Sequence, residues 1–422
     1  MLRINQPRNE KAAGGIVAKL RRNGYEAYFA GGWARDFLLG RKANDIDIAS
    51  SAPPDAVLRL FPNSKAFGAA FGVVQVHRYG RDFEVTTFRS DYSYQDGRHP
   101  DKVVFSTAKE DAARRDFTIN GLFYDPVENR LIDFVGGRED IRQKIIRAIG
   151  DADARFTEDK LRILRAVRFA CVLNFTIDEK TWDAVKRFAS DILVVSQERI
   201  RDELREILCG PDPGRGLDLL LESGLLEQIL PEAIQPQNNR RFAEMRTVAA
   251  CLRKPSFPLS MSALLYQAGD SADIERICRR LKMSRDEIAR VVDLLSSREF
   301  FSEPEAITKS ARTRLAVKPH ISEHLEFCRA RLKAGGQNMK LYARWLKELG
   351  SLRRNPLPPP LIDGNDLIAL GCKPGPFFKK ILREIEDLQY EGSLTSHQEA
   401  LRYATERRHK LRNHVNFSKK TG

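Results

Sequence analysis

At 422 residues the chain exceeds one ordinary domain and can bury a substantial core, so two or more domains are expected. Its 71 Lys and Arg against 57 Asp and Glu leave a formal charge of +14, which favours polyanionic partners without naming one; a merely soluble basic protein is the bland alternative. Six dispersed cysteines with no CxxC pair argue against a disulfide framework or zinc knuckle, and neither a signal peptide nor a stretch of ~18 apolar residues is present, so a soluble protein of the reducing cytoplasm is expected.

Along the chain, Tyr28 to Ala30 reads as the end of a short buried strand, Gly31-Gly32 as a turn, and Trp33 to Leu39 as a helix closing at Gly40. Glycines there let backbone N–H groups approach an anionic group. The next strand carries Asp45-Ile46-Asp47-Ile48. Side chains alternate along an extended chain, so Asp45 and Asp47 project together while Ile46 and Ile48 enter the core. Two carboxylates on one face suit Mg²⁺, which takes oxygen ligands and shares its shell with substrate phosphates. Either half alone reads as a glycine turn or a solvated strand end. Together, in this order, they resemble the signature of the polymerase-beta-like nucleotidyltransferase superfamily, which implies two metals activating a 3′-hydroxyl and supporting a triphosphate.

Strands are predicted over Phe71 to His77, Phe83 to Phe88 and Val103 to Phe105. Alternation puts Glu84, Thr86 and Phe88 on one strand face, which makes Glu84 a candidate third carboxylate beside Asp45 and Asp47. A charged residue on an open strand face is the competing reading. Arg89 to Pro100, RSDYSYQDGRHP, reads as a mobile loop beside a site.

Arg114 to Asn120, RRDFTIN, follows. Guanidinium forks match phosphate oxygens, and Asp or Asn can hydrogen-bond a ribose hydroxyl. In this position the motif resembles the second motif of class II CCA-adding enzymes and bacterial poly(A) polymerases. The resemblance continues in order. Asp133-Phe-Val-Gly-Gly137-Arg-Glu-Asp140 is similar to the family's hinge-like third motif, where Gly136-Gly137 would permit flexing; Glu158-Asp159-Lys160-Leu161-Arg162 to the fourth, EDxxR; and Glu198 to Leu204 to the fifth.

The fourth motif also has a physical reading. Thr157 is a candidate N-cap, with Leu161, Leu164, Val167 and Cys171 forming the apolar stripe of one helix. Asp159 and Arg162, three apart, then share a face. Cytosine and adenine each present an amino donor beside a ring-nitrogen acceptor, whereas guanine and uracil present the reverse. A carboxylate that accepts beside a guanidinium that donates would welcome the first pair and leave the second with unpaired polar groups. On spacing alone an intrahelical salt bridge is the default; the resemblance implies base reading, with Glu158 orienting Arg162 from four residues away.

From about residue 215 the pattern is helical. Gly210 to Gly216 and Asn355 to Leu361 mark boundaries. His320 and His324, four apart, lack a Cys or acidic partner pattern and read as ordinary surface histidines, and no His-Asp dipeptide occurs. The segment from Leu361 to Leu401 resembles the C-terminal part of CCA-adding enzymes. The basic end from Arg402 reads equally as a phosphate binder or a frayed terminus.

The expected fold is therefore α+β: a polymerase-beta-like nucleotidyltransferase head with a mixed sheet and helices (1–150), then an all-α neck (151–212), body (213–354) and tail (355–422). The resemblance implies template-independent addition of CCA to tRNA from CTP and ATP with two Mg²⁺ and release of pyrophosphate. Asp45, Asp47 and Glu84 would be catalytic, with Asp45 and Asp47 as metal ligands. Gly31, Gly32, Arg35, Arg115, Asp116, Asn120, Glu158, Asp159 and Arg162 would bind the nucleotide. The tRNA acceptor end and elbow are the expected partner; no membrane or protein partner is inferred. CC-only addition, A-only addition, poly(A) synthesis and a non-catalytic RNA-binding protein are the alternatives.

Overall fold

The computed structural model describes residues 8–43, 45–66, 72–92, 102–234, 239–301, 307–354 and 357–418. The chain divides into two compact units, residues 1–246 with 276–284, and residues 247–275 with 285–422.

The first unit begins with helix α1 (Arg8–Arg22), strand β1 (Ala27–Ala30), helix α2 (Gly32–Leu38), strand β2 (Asp47–Ser50) and helix α3 (Pro54–Leu60). Strands β3 (Ser64–Ala66), β4 (Val73–Arg78) and β5 (Arg81–Thr87) follow. With β8 (Leu122–Asp125) and β9 (Arg130–Asp133) they form a seven-stranded sheet in the order β3-β4-β5-β2-β1-β8-β9. It is mixed, as expected: β2 runs parallel to β5, with Ile48 opposite Val85, and antiparallel to β1, with Ala30 opposite Asp47. Alternation follows the predicted faces. Ile46, Ile48, Phe83 and Val85 are buried, while Asp45, Asp47 and Glu84 are exposed at the opposite face.

Two predicted segments differ. Phe71 lies outside the described residues, and the strand begins at Val73. Arg89–Tyr92, expected to open a loop, is strand β6, which pairs with β7 (Lys102–Phe105) as a separate two-stranded ribbon with Arg89 opposite Phe105. The remainder of that expected loop, residues 93–100, lies outside the described residues.

The glycine pair expected to flex has packing roles. Gly136 takes φ 81°, and a Cβ on Gly137 would lie 2.1 Å from the Thr118 carbonyl oxygen, so only glycine lets helix α5 (Gly137–Gln143) approach so closely. Asp133 accepts from the N–H groups of Val135, Gly136, Gly137 and Arg138, and Asp140 accepts from the Thr118 hydroxyl at 2.6 Å.

Past the sheet, Asp151 caps helix α6 (Ala152–Glu158) by accepting from the Ala154 N–H at 3.0 Å. Thr157 is therefore not an N-cap. It lies in the last turn of α6, where its hydroxyl donates to the Asp153 carbonyl at 2.8 Å. The predicted single helix is two: Asp159 has extended backbone (φ −140°, ψ 105°), and its carboxylate accepts the Leu161 N–H at 3.1 Å, starting helix α7 (Leu161–Leu173). Helix α8 (Glu179–Arg187) and helix α9 (Gln197–Leu208) follow; α7 packs on α9, and the two helices bury Leu164 and Val167, and Leu204 and Ile207, respectively.

The second unit is helical, with one apolar cluster around Trp345, Phe301 and Ile321 and another around Leu367, Ile381, Ile385 and Ala400. His324 is not a surface histidine. Inside helix Ile321–Ala334 it turns inward, 3% exposed, with Nε2 3.0 Å from Asp293 and its ring stacked on Phe301. His320 precedes that helix in the left-handed region (φ 60°), so the two share no helical face. Among the described residues no helix is long and apolar enough to cross a membrane.

Candidate active site

A cleft of about 740 Å³ opens in the first unit, between the central strands and α7. Its floor comes from β2 and β5, which bring Asp47 and Glu84 side by side in parallel register. Asp45 faces a smaller adjoining cleft of about 380 Å³ that also touches Asp47 and Glu84. Although Asp47 is solvent-accessible as a residue, desolvation of its carboxyl at the cleft floor pushes it up, and Glu84 and Asp45 add to this against the opposing pull of Arg115. Among the described residues no three His, Cys, Asp or Glu side chains converge closely enough to hold an ion by themselves. The donor set nevertheless suits Mg²⁺, whose shell is completed by water and substrate phosphate.

The β1 to α2 turn forms one wall. Gly31 takes φ 62°, its N–H donates to the Leu122 carbonyl at 3.0 Å, and a Cβ there would meet the Arg115 guanidinium at 2.8 Å. The glycine thus admits a protein cation to the wall, a role the sequence reading did not foresee. Arg35, one turn into α2, donates to Asn120 Oδ1 at 2.8 Å and to Asp36 at 2.9 Å.

RRDFTIN folds as a wall of linked charges. Arg114 and Arg115 share the two oxygens of Asp111, a 1% exposed carboxylate on helix α4 (Ala108–Ala113), at 2.8 and 2.9 Å. Burial raises the Asp111 carboxyl, but Arg115 and Arg114 outweigh it and hold it low. Asp116 is also buried. It accepts from Asn120 Nδ2 at 3.0 Å, the Phe117 N–H at 2.7 Å, and Arg165 at 2.6 and 2.9 Å. Burial works against its charge, yet Arg165, Asn120 and the Phe117 N–H keep it far below the usual carboxylate range.

The opposite wall is α7 and the break before it. Arg162, 9% exposed, donates to Glu158 at 2.7 Å and to the Arg114 carbonyl at 3.0 Å. Asp159 pairs with Arg199 of α9 at 2.9 Å. The intrahelical Asp159–Arg162 bridge is replaced by these two separate pairs. Both residues line the cleft; Glu158 does not, and acts on it through Arg162.

Several lining residues escaped the sequence reading. Arg165, Arg168 and Phe169 face the cleft from α7, and the guanidiniums of Arg35, Arg165 and Arg168 lie 5.2, 5.3 and 4.3 Å from the Phe169 ring centre. Arg162, Arg165 and Phe169 recur at three and four residues, a periodicity visible in RILRAVRF. Asp111, three and four residues before its arginines on a helix, was legible in the same way. Arg199 was placed in its motif, but its reach to Asp159 depends on how α9 packs.

The Poly A polymerase head domain family matches residues 27–147, the probable RNA and SrmB-binding site of polymerase A matches 174–235, and the putative tRNA nucleotidyltransferase domain 2 matches 259–404. A CCA-adding enzyme of Geobacillus sp. (strain WCH70) is 35% identical over 92% of this chain and 94% of its own. The chain belongs to the CCA-adding enzyme family. The crystal structure of the Bacillus stearothermophilus CCA-adding enzyme in complex with CTP superposes with a TM-score of 0.78 at 30% identity, covering 97% of this chain and all of that one. A Thermotoga maritima CCA-adding enzyme complexed with tRNA shares the fold, with a TM-score of 0.64 at 22% identity over 93% of each chain. In this CCA-adding enzyme family member, whose fold is shared over nearly its whole length, Asp47, Glu84, Arg35, Arg115, Asp159 and Arg162 line one cleft and Asp45 lines the smaller cleft beside it.

Proposed function

We propose that this chain builds or repairs the CCA end of tRNA, taking CTP and ATP in turn and releasing pyrophosphate. The observation that carries the reading is the cleft itself, in which a carboxylate and a guanidinium suited to cytosine and adenine, Asp159 and Arg162, face the same space as Asp47 and Glu84. Relatives in complex with CTP and with tRNA support the substrate and partner. In this reading residues 1–150 carry the chemistry, 151–212 read the base, and 213–354 and 355–422 grip the tRNA elbow in the cytoplasm.

Asp45, Asp47 and Glu84 would hold the metal: they offer only carboxylate oxygens, and the crowding of negative charge at Asp47 is what a divalent cation relieves. Mg²⁺ bound there, two ions in this reading, supplies Lewis acidity that eases loss of the RNA 3′-hydroxyl proton and offsets triphosphate charge. The remaining work belongs to the chain. Arg35 and Arg115, beside Gly31 and Gly32, bind phosphate oxygens. Asn120 and Asp116 fix the ribose edge, with Asp116 held ionised by Arg165. Asp159 accepts from the base amino group while Arg162 donates to the ring nitrogen or carbonyl, and guanine or uracil leaves both unpaired. The 3′-hydroxyl oxygen then forms a bond to the α-phosphorus in line with the departing pyrophosphate.

The test is to incubate the protein and Mg²⁺ with tRNA ending before its CCA, supplying CTP, ATP, then both, and to size the product at single-nucleotide resolution. Two additions with CTP and a third only with ATP present is the expected result. A stop at two, a requirement for a pre-existing CC end, or a long ATP-only tail would each replace CCA addition with a narrower or different polymerase.

A further inference from the structure

Transfer needs two substrates at the same carboxylates. The large cleft holds the base-facing pair and the cationic walls, which suits the triphosphate. The smaller cleft shares Asp47 and Glu84 with it and adds Asp45, Gln75, Arg81 and Asp82. It lies along β4 and β5, where Gln75 is paired with Glu84. Its lining carries four acids against one arginine, so a polyanion needs a handhold outside those acids.

The β4–β5 turn supplies one. Tyr79 and Gly80 connect Arg78 to Arg81 with φ 51° and 75°, the positive pair of a tight two-residue hairpin turn. Asn or Gly suits the first position of such a turn; an aromatic residue there is strained. Tyr79 is also 77% exposed, with the Arg78 guanidinium 5.2 Å from its ring centre. A strained, exposed aromatic residue gives the fold little beyond its contact with Arg78. It has the chemistry of a stacking platform for a single-stranded base flanked by phosphate-binding cations.

We propose that the β4–β5 hairpin is the entry platform for the RNA acceptor strand. A base near the 3′ end stacks on Tyr79, Arg78 and Arg81 meet the adjoining phosphates, and the terminal hydroxyl reaches Asp47 and Glu84 through the smaller cleft. This rests on the large cleft being the nucleotide site.

The experiment compares wild type, Tyr79→Gly, Tyr79→Phe and Arg81→Ala in the full chain, with tRNA lacking its CCA as one varied substrate and CTP as the other. Tyr79→Gly suits the turn better, so its melting temperature should hold or rise. Its KM for RNA should rise about 5- to 20-fold while its KM for CTP stays within twofold. Tyr79→Phe keeps the stacking face and should restore the wild-type KM for RNA. Arg81→Ala should raise the KM for RNA and flatten its salt dependence by about one unit of slope. An unchanged KM for RNA in a well-folded Tyr79→Gly, or an equal rise for CTP, overturns the platform and leaves the cleft reading standing. A wild-type protein that does not turn over CTP overturns both.

Discussion

The Asp159 carboxylate accepts a hydrogen bond from Arg199 Nη2 at 2.9 Å, across 40 residues of chain. The acid proposed to face the base is thus oriented from a different helix. Arg199→Ala removes a charge-assisted bond of about 1.5–3 kcal/mol, so the KM for CTP and ATP should rise about tenfold or more. Steady-state kinetics with each triphosphate checks this, and unchanged KM values for both would refute the orienting role.

Arg162 is fixed by Glu158 and by the Arg114 carbonyl, which leaves its position little freedom. Arg162→Ala should relax choice before it abolishes binding, and discrimination against GTP and UTP should fall by about tenfold or more. Competition assays with all four triphosphates decide it; selectivity equal to wild type would count against base reading by this pair.

Arg165→Met leaves the Asp116 charge buried without its main partner. Breaking a buried pair on one side costs about 3–5 kcal/mol, so the melting temperature should drop by several degrees. The pH dependence has a definite sign. The folded carboxyl is held below its unfolded value, so its contribution is present above pH ~4 and is lost as pH falls through the depressed folded value. Without Arg165 that depression shrinks, and the acid-unfolding midpoint should move to higher pH when followed by circular dichroism.

Asp47→Asn should have opposite effects on activity and stability. Burial and the neighbouring Glu84 disfavour the Asp47 charge, so its stabilising contribution is present at low pH and lost as pH rises through the raised folded value. The amide keeps the shape without the charge. At neutral pH in chelator the melting temperature should rise, while nucleotide incorporation should cease and tRNA binding persist. Retained turnover in the purified variant would sink the metal assignment.

What the sequence disclosed followed local periodicity. Asp47 at the head of its strand and Glu84 on an open face are consequences of a two-residue repeat, and the sheet preserves them, although the strand begins at Asp47 and Asp45 precedes it. Two features resisted. The helix break at Asp159 is invisible to an apolar stripe that continues through it, because it is fixed by one carboxylate accepting the N–H of Leu161, two residues on. His324 looked like a surface residue because its partner, Asp293, comes from a separate helix. Pairings such as Arg165 with Asp116 join positions 49 apart and exist only once α7 lies against the sheet.

Helix α7 is joined to the head by Arg162 on the Arg114 carbonyl and by Arg165 on Asp116. A copying polymerase takes its instructions from a strand that can be replaced from one molecule to the next. In the proposed reading the instruction is instead a gap between a helix and a sheet, inherited through the gene for the protein and consulted afresh at every addition. A substitution that altered its width would not misspell one transcript; it would rewrite the same three letters on every molecule the enzyme finishes.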